Sequence, residues 1–515
     1  MNHAKHTVLP ALICLLSLGV CLAGCGRTNP ILPVPTAQAE TTSPTLSPEE
    51  QVESLTLVLD ADGFQELEKY PNLKTLDLTG STCYEAIARY QKFHPQVNVI
   101  YTIRFGSQEV SPSATELSLG SGDYDFPTLL ENLRFLPELK HLSLSQLSFT
   151  GDELDQLQAA YPNLELTYSV MLFGSEFPSD TRSINLSFLT PDQVREAARG
   201  LSLLPELTSV ELMDAEGSSQ LEKTDVKLLV DAAPQAIFHY TFQLFGKTIS
   251  TNDEVVEFKN HSIGNAGETE LRQALDIMTG CKTFCLLDCG IDDELLARLR
   301  EEYTNTKIVW QVHFGKYSVR SDTDTIRAVK NVFDSTCYNL RYCNEVKYMD
   351  LGHNDTLSDL SFVGFMPELE ILIASGCSVS DLSGFENCKN LKFLELAYCG
   401  KLSDISPLAG CESLTDLNLF GTKVSSLVPL DGLPLEHFMC AHARVPASEQ
   451  EQFKEIHPDC WTTFNASGPY GKGWRYEKNG KDYTPGYKKV REVFKLDNIS
   501  QAAIDAENEA LKKKK

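Results

Sequence analysis

The feature that most constrains this chain is a short repeat. Five segments, VKYMDL (346–351), LEILIA (369–374), LKFLEL (391–396), LTDLNL (414–419) and LEHFMC (435–440), start 23, 22, 23 and 21 residues apart. In each, the first, fourth and sixth positions are apolar. Alternation at period 2 is what a short strand with one buried face requires. A unit this small cannot bury its own apolar face, so neighbouring units must stack and share a core.

A longer repeat precedes these. Phe-Gly stands at 105–106, 173–174, 245–246 and 314–315, at intervals of 68, 72 and 69 residues. Each pair ends an alternating run: NVIYTIRFG, LELTYSVMLFG, IFHYTFQLFG, KIVWQVHFG. Before each run lies a helix-like segment with a break: YQKFHPQ, LQAAYPN, LVDAAPQ, REEYTNT. Thr150–Glu153 and Thr190–Gln193 have the spacing of capping boxes, the second with Pro191 at the first helical position. Each unit of about 70 residues then reads as three strand–helix coils. The signature returns in EQFKEIHPDCWTTFNASG (450–468), which places the five regular repeats inside the last long unit.

The L-x-x-L-x-L segments, with the stretch LSDISPLAGCESLTDLNL, resemble the short leucine-rich repeats of internalin-type bacterial surface proteins. The resemblance implies an α/β solenoid, with parallel strands on a concave face and helices or irregular coils on the convex face. That family usually carries Asn three residues after the strand, where its amide satisfies backbone groups of the adjacent coil. The matching positions are Asn354, Cys377, Cys399, Thr422 and Ala443. Cysteine is a known substitute; Thr and Ala depart from the pattern and predict a looser ladder at the last two coils.

The resulting division is 1–24 signal peptide, 25–48 lipidated Cys25 and tether, 49–325 long units, 326–468 regular repeats, 469–497 cap and 498–515 polar tail. Residues 49–468 are expected to form one continuous solenoid. The targeting segment begins with Lys5, continues with a nearly all-apolar run from Thr7 to Leu22, and ends in small residues, which is the layout of a signal peptide. Leu22-Ala23-Gly24-Cys25 resembles the lipobox of bacterial lipoproteins. That implies cleavage before Cys25, lipid on its sulfur, and an exported chain held at a bacterial membrane, facing the extracytoplasmic side. Two or more acyl chains give durable anchoring. The Pro-, Thr- and Ser-rich stretch after it reads as an extended tether.

The formal charge of −26, from 71 acidic and 45 basic residues, argues against nucleic-acid binding, which needs clustered cations. The spacing C-x3-C-x3-C at Cys281, Cys285 and Cys289 suggests a metal, but no nearby His or C-x2-C pair completes a tetrahedral set, and Cys281 and Cys289 align with core positions of the preceding unit. The stacked cysteines of the repeats read mostly as reduced core thiols. Neither a nucleophile elbow, nor H-E-x-x-H, nor a phosphate loop occurs. No cofactor, metal or enzymatic activity is expected.

In the regular strands the third and fifth positions face away from the core. With residues just beyond, they form a strip of apolar, aromatic and polar groups: Tyr348, Ile371, Phe393, Tyr398, Asp416, Asn418, Phe420 and His437. Such a strip on a concave face suits a protein or envelope-polymer ligand. The alternative is a structural envelope lipoprotein without a specific ligand. Trp474, Tyr476, Tyr483 and Tyr487, among Gly and Lys, are expected to cover the exposed edge of the final coil.

Overall fold

In the computed structural model, residues 47–498 are described, apart from Ser121, Leu147 and Ser148. Cys25, the expected signal peptide, most of the expected tether and all but the first residue of the expected polar tail lie outside them. The chain divides into two compact units, Met1–Ile103 and Arg104–Lys515. In the first, three parallel strands (Ser54–Thr56, Thr75–Asp77, Asn98–Ile100) stack side by side. Leu76, Leu78 and Ile87, on a helix at Tyr84–Phe93, are fully buried beneath them.

The second unit is a series of parallel rungs. Three rungs at Glu116–Leu119, His141–Leu144 and Glu165–Leu172 are followed by three at Ser183–Asn185, Ser209–Glu211 and Ile237–His239. Three more stand at Val255–Lys259, Thr283–Leu287 and Lys307–Phe314. The three-coil reading of each long unit therefore holds. Between the triplets the chain makes something the repeat pattern did not reveal, an antiparallel hairpin. Leu172 pairs with Ser175 and Leu244 with Lys247, so Phe173-Gly174 and Phe245-Gly246 are two-residue turns. All four residues have positive φ, the requirement of a type I′ turn. Phe is strained there, and each ring is held by another: Phe173 by Phe188 and Phe245 by Phe258, both at 5.7 Å. At the next hairpin the register slips by one. Phe314 pairs with Tyr317, Gly315 enters the turn, and Phe314 is buried.

Seven parallel rungs complete the unit: Thr325–Arg327, Tyr348–Asp350, Ile371–Ile373, Phe393–Glu395, Asp416–Asn418, His437–Met439 and Trp461–Thr463. The coils joining the middle rungs are short and close with single 3-10 turns such as Ser361–Phe365 and Ser406–Gly410. In the long units the extra residues of each coil build helices, as at Gly151–Ala160 and Asp293–Glu302. Thr150 caps the first of these reciprocally with Glu153, as its spacing predicts. Across residue 325 the packing continues: Arg300 donates to the Tyr342 carbonyl at 2.8 Å, and the Trp310 and Tyr342 rings lie 5.8 Å apart.

Each regular coil turns its corner with one residue of positive φ, at His353, Gly376, Tyr398, Gly421 and His442. The next residue belongs to the ladder. Asn354 donates to the Ala328 carbonyl of the preceding coil and accepts from the Val332 amide. Cys377 and Cys399 reach back in the same way, to Leu351 and Ala374, each at 3.3 Å. Thr422 instead bonds Leu419 of its own coil, so the interlocking lapses where the asparagine pattern does. A second file, Cys388 and Cys411, donates to Val363 and Phe385. Burial pushes the thiols of Cys388, Cys399 and Cys411 up to about 12, which leaves them poor nucleophiles. All twelve cysteines among the described residues are free.

Candidate functional site

The strip expected to be an open ligand face is not open. Residues 469–496 lie across it. Ile371, Phe393 and Phe420 are buried, as are Asp416 and Asn418, while Tyr348, Tyr398 and His437 are half-buried. Ile371, Phe393 and Phe420 share one apolar cluster with Trp474, Tyr487, Val490, Phe494 and Leu496. The tail aromatics thus cover the strand face, not the edge of the last coil as their position in sequence suggested. Sequence periodicity identified the outward positions correctly but carries no information on what lies above them.

The covering segment is built for this. Thr484 precedes a helix at Pro485–Val493, with Pro485 at its first position. The Thr484 hydroxyl does not cap that helix; it donates to the Trp474 carbonyl at 2.6 Å and so ties helix to loop. Gly486 lets the helix lie close. A Cβ there would come within 2.7 Å of Asp416 Oδ1 and 3.0 Å of Phe393. The Trp474 ring packs 5.0 Å from Phe393, and its Nε1–H donates to Glu395 Oε2 at 2.6 Å. Ser375 Oγ donates to the other Glu395 oxygen at 2.9 Å, so a carboxylate only 1% exposed keeps two donors. Asn418 Nδ2 donates to the Pro469 carbonyl at 3.0 Å, and Lys489 Nζ lies over the Tyr348 ring. Tyr398 serves as the left-handed corner of its coil, its ring edge-on to Phe420 at 5.2 Å. His437 Nδ1 sits 3.1 Å from Asp416 Oδ1, an ion-pair distance without hydrogen-bond geometry. Asp416 holds the imidazole pKa above its ordinary value against the opposing effect of burial.

Buried charge is the feature that sequence reasoning did not find. Asp350 and Glu395 occupy the same outward position two rungs apart, with Ile373 between them, and read as solvent-facing; Arg475 follows Trp474 in the loop. Asp350 is paired with Arg327 at 3.2 Å, and burial raises its pKa. The Arg475 guanidinium stacks 3.8 Å from the Tyr470 ring centroid and 4.8 Å from that of Tyr487.

The rest of the strand face is different. Many outward residues of the long-unit rungs, Glu116, Ser118, His141, Glu165, Asn185, Glu257 and Lys259 among them, are exposed, whereas Cys285, Leu287 and Val309 in the third triplet are buried together. They are mostly polar, with local pairs such as His141–Glu165 at 3.0 Å. Cys281, Cys285 and Cys289 are buried separately rather than gathered, and burial raises all three thiols. Among the described residues no group of three or more His, Cys, Asp and Glu is placed to hold a metal ion. No helix among them is long and apolar enough to cross a membrane.

Residues 367–410 match the family model described as leucine-rich repeats, in two copies. They contain two rungs of the seven-stranded sheet and the Cys377–Cys399 ladder. The fold is a leucine-rich-repeat solenoid. Solved leucine-rich-repeat structures are similar to it at low identity. An internalin of Listeria monocytogenes is 13% identical, with 69% of this chain and 83% of that one covered and a TM-score of 0.25. A leucine-rich-repeat protein of Leptospira interrogans is 15% identical, with 81% and 97% covered and a TM-score of 0.26. No curated protein matches this sequence.

Proposed function

We propose that this chain is a non-catalytic leucine-rich-repeat binding protein, held by lipid on Cys25 at the extracytoplasmic side of a bacterial membrane. Its ligand is a protein or an envelope polymer. The observation that supports this reading is the open polar strand face of the long units. Parallel rungs present exposed side chains in fixed register on a scaffold whose other face is core, an arrangement suited to binding without catalysis. The regular repeats contribute rigidity, since their own strand face is already covered.

The test is crosslinking on intact cells, with a photoreactive residue placed at Glu257 or, as a control, at Phe420. A discrete adduct from position 257 and none from 420 is the expected result. No adduct from 257, Glu116 or Lys259 would favour a structural envelope lipoprotein. Anchoring is checked separately: Cys25→Ser should move the chain from the detergent phase to the aqueous phase, and an unchanged partition would refute the lipid anchor.

A further inference from the structure

Beneath the covering segment, between it and the regular rungs, lies a cavity of about 70 Å³. Asp350, Ser375, Glu395, Tyr470, Arg475 and Tyr487 line it. That is room for about five waters, or for one small molecule. Arg475 is half-buried, but its Nε is out of reach of solvent and has no hydrogen-bond partner. Nor does the guanidinium join an ion pair among the described residues. Desolvation works against its charge, and the Glu395 carboxylate nearby favours it. A charged donor this deep in a folded protein is ordinarily satisfied by an acceptor. Here the protein sets the Tyr470 and Tyr487 rings against the guanidinium, and Arg475 itself lines the cavity.

We propose that this cavity is a binding site for a small carboxylate, seated edge-on against Arg475. A guanidinium stacked on aromatic rings can hydrogen-bond only in its own plane, and a planar carboxylate matches that fork with two parallel bonds. Asp350 does not compete for Arg475, because Arg327 engages it. Glu395 makes no hydrogen bond to Arg475 either: its oxygens accept from Ser375 and Trp474. Its charge nevertheless sets an upper limit on affinity and disfavours a dianion such as phosphate. The cavity's volume of about 70 Å³ suits a compact acid of acetate's size. The site stands independently of the ligand assigned to the long-unit face.

The experiment follows the thermal midpoint of the mature chain in sodium acetate and in sodium chloride at matched ionic strength. Acetate should raise the midpoint saturably and chloride should not. Arg475→Met, which keeps an apolar side chain between the tyrosines, should abolish the acetate response. Glu395→Gln retains an acceptor for Trp474 and removes the opposing charge, so it should lower the half-saturating acetate concentration roughly tenfold. This second variant decides the matter if Arg475→Met does not fold. Equal protection by chloride, no saturable effect of acetate, or an unchanged half-saturation in Glu395→Gln would each overturn the proposal.

Discussion

The strand face of the regular repeats and that of the long units are built on the same rung, yet one is sealed and the other open. On the regular rungs the outward residues are Ile371, Phe393 and Asn418, buried under the chain's own C-terminal segment. On the long-unit rungs Glu116, Asn185, Glu257 and Lys259 face solvent, and the buried outward group there is the small one of Cys285, Leu287 and Val309. The difference teaches that an apolar strip on a repeat face signals a cover before it signals a ligand. Leaving such a strip bare carries a solubility penalty, and the cheapest cover is a segment of the same chain, which needs no association.

The sharpest way to break this comparison is to remove the cover's main anchor. Trp474→Ala should cost about 3–5 kcal/mol in chemical denaturation, because it empties a buried site beside Phe393 and takes a donor from Glu395. Glu257→Ala, at an equivalent outward position of an open rung, should stay within about 0.5 kcal/mol. Equal effects at the two sites would erase the distinction. Gly486→Ala tests the closeness of the cover: the added methyl meets Asp416 and Phe393, and a loss of about 1–3 kcal/mol is expected. A neutral result would mean that the helix rides higher than described.

Smaller effects sharpen the picture within the regular coils. Cys399→Ala removes the ladder bond to Ala374 and should cost about 1–2 kcal/mol, measured under reducing conditions so that only packing and hydrogen bonding change. No loss would make the cysteine ladder incidental. The least effect concerns His437. Asp416 raises its folded pKa, so its contribution is complete below the ordinary histidine value and disappears as pH rises through the folded one. The stability difference between the parent and His437→Asn should therefore shrink by about 1 kcal/mol or less between acid and mildly alkaline pH. A difference that grows with pH would contradict the pairing.

Much of this architecture was legible because it is periodic. Alternation at Val346–Leu351 and its four successors located five rungs, and the sixth position plus three located Asn354, Cys377 and Cys399 on the ladder. Thr150–Glu153 announced its helix by local hydrogen bonding alone. These features depend on neighbours a few residues away or one coil away, and a repeat writes both into the sequence. The hairpins were less visible: Phe-Gly marked them, but the sign of φ at Phe173 and Phe245, and the one-residue slip at Phe314, depend on which strand pairs follow.

What the sequence determined by itself was the rung, the coil length and the side of each strand that faces the core. Only the tertiary structure decided what the other side faces. Trp474 and Glu395 are 79 residues apart and belong to no common period. Nothing local encodes their meeting, which arises from the fit of a non-repeating segment to an apolar face. The same fit determines that Asp350 and Glu395 are buried charges beside a half-buried Arg475 around a cavity, because burial is a property of what packs from outside and not of the strand that carries the residue.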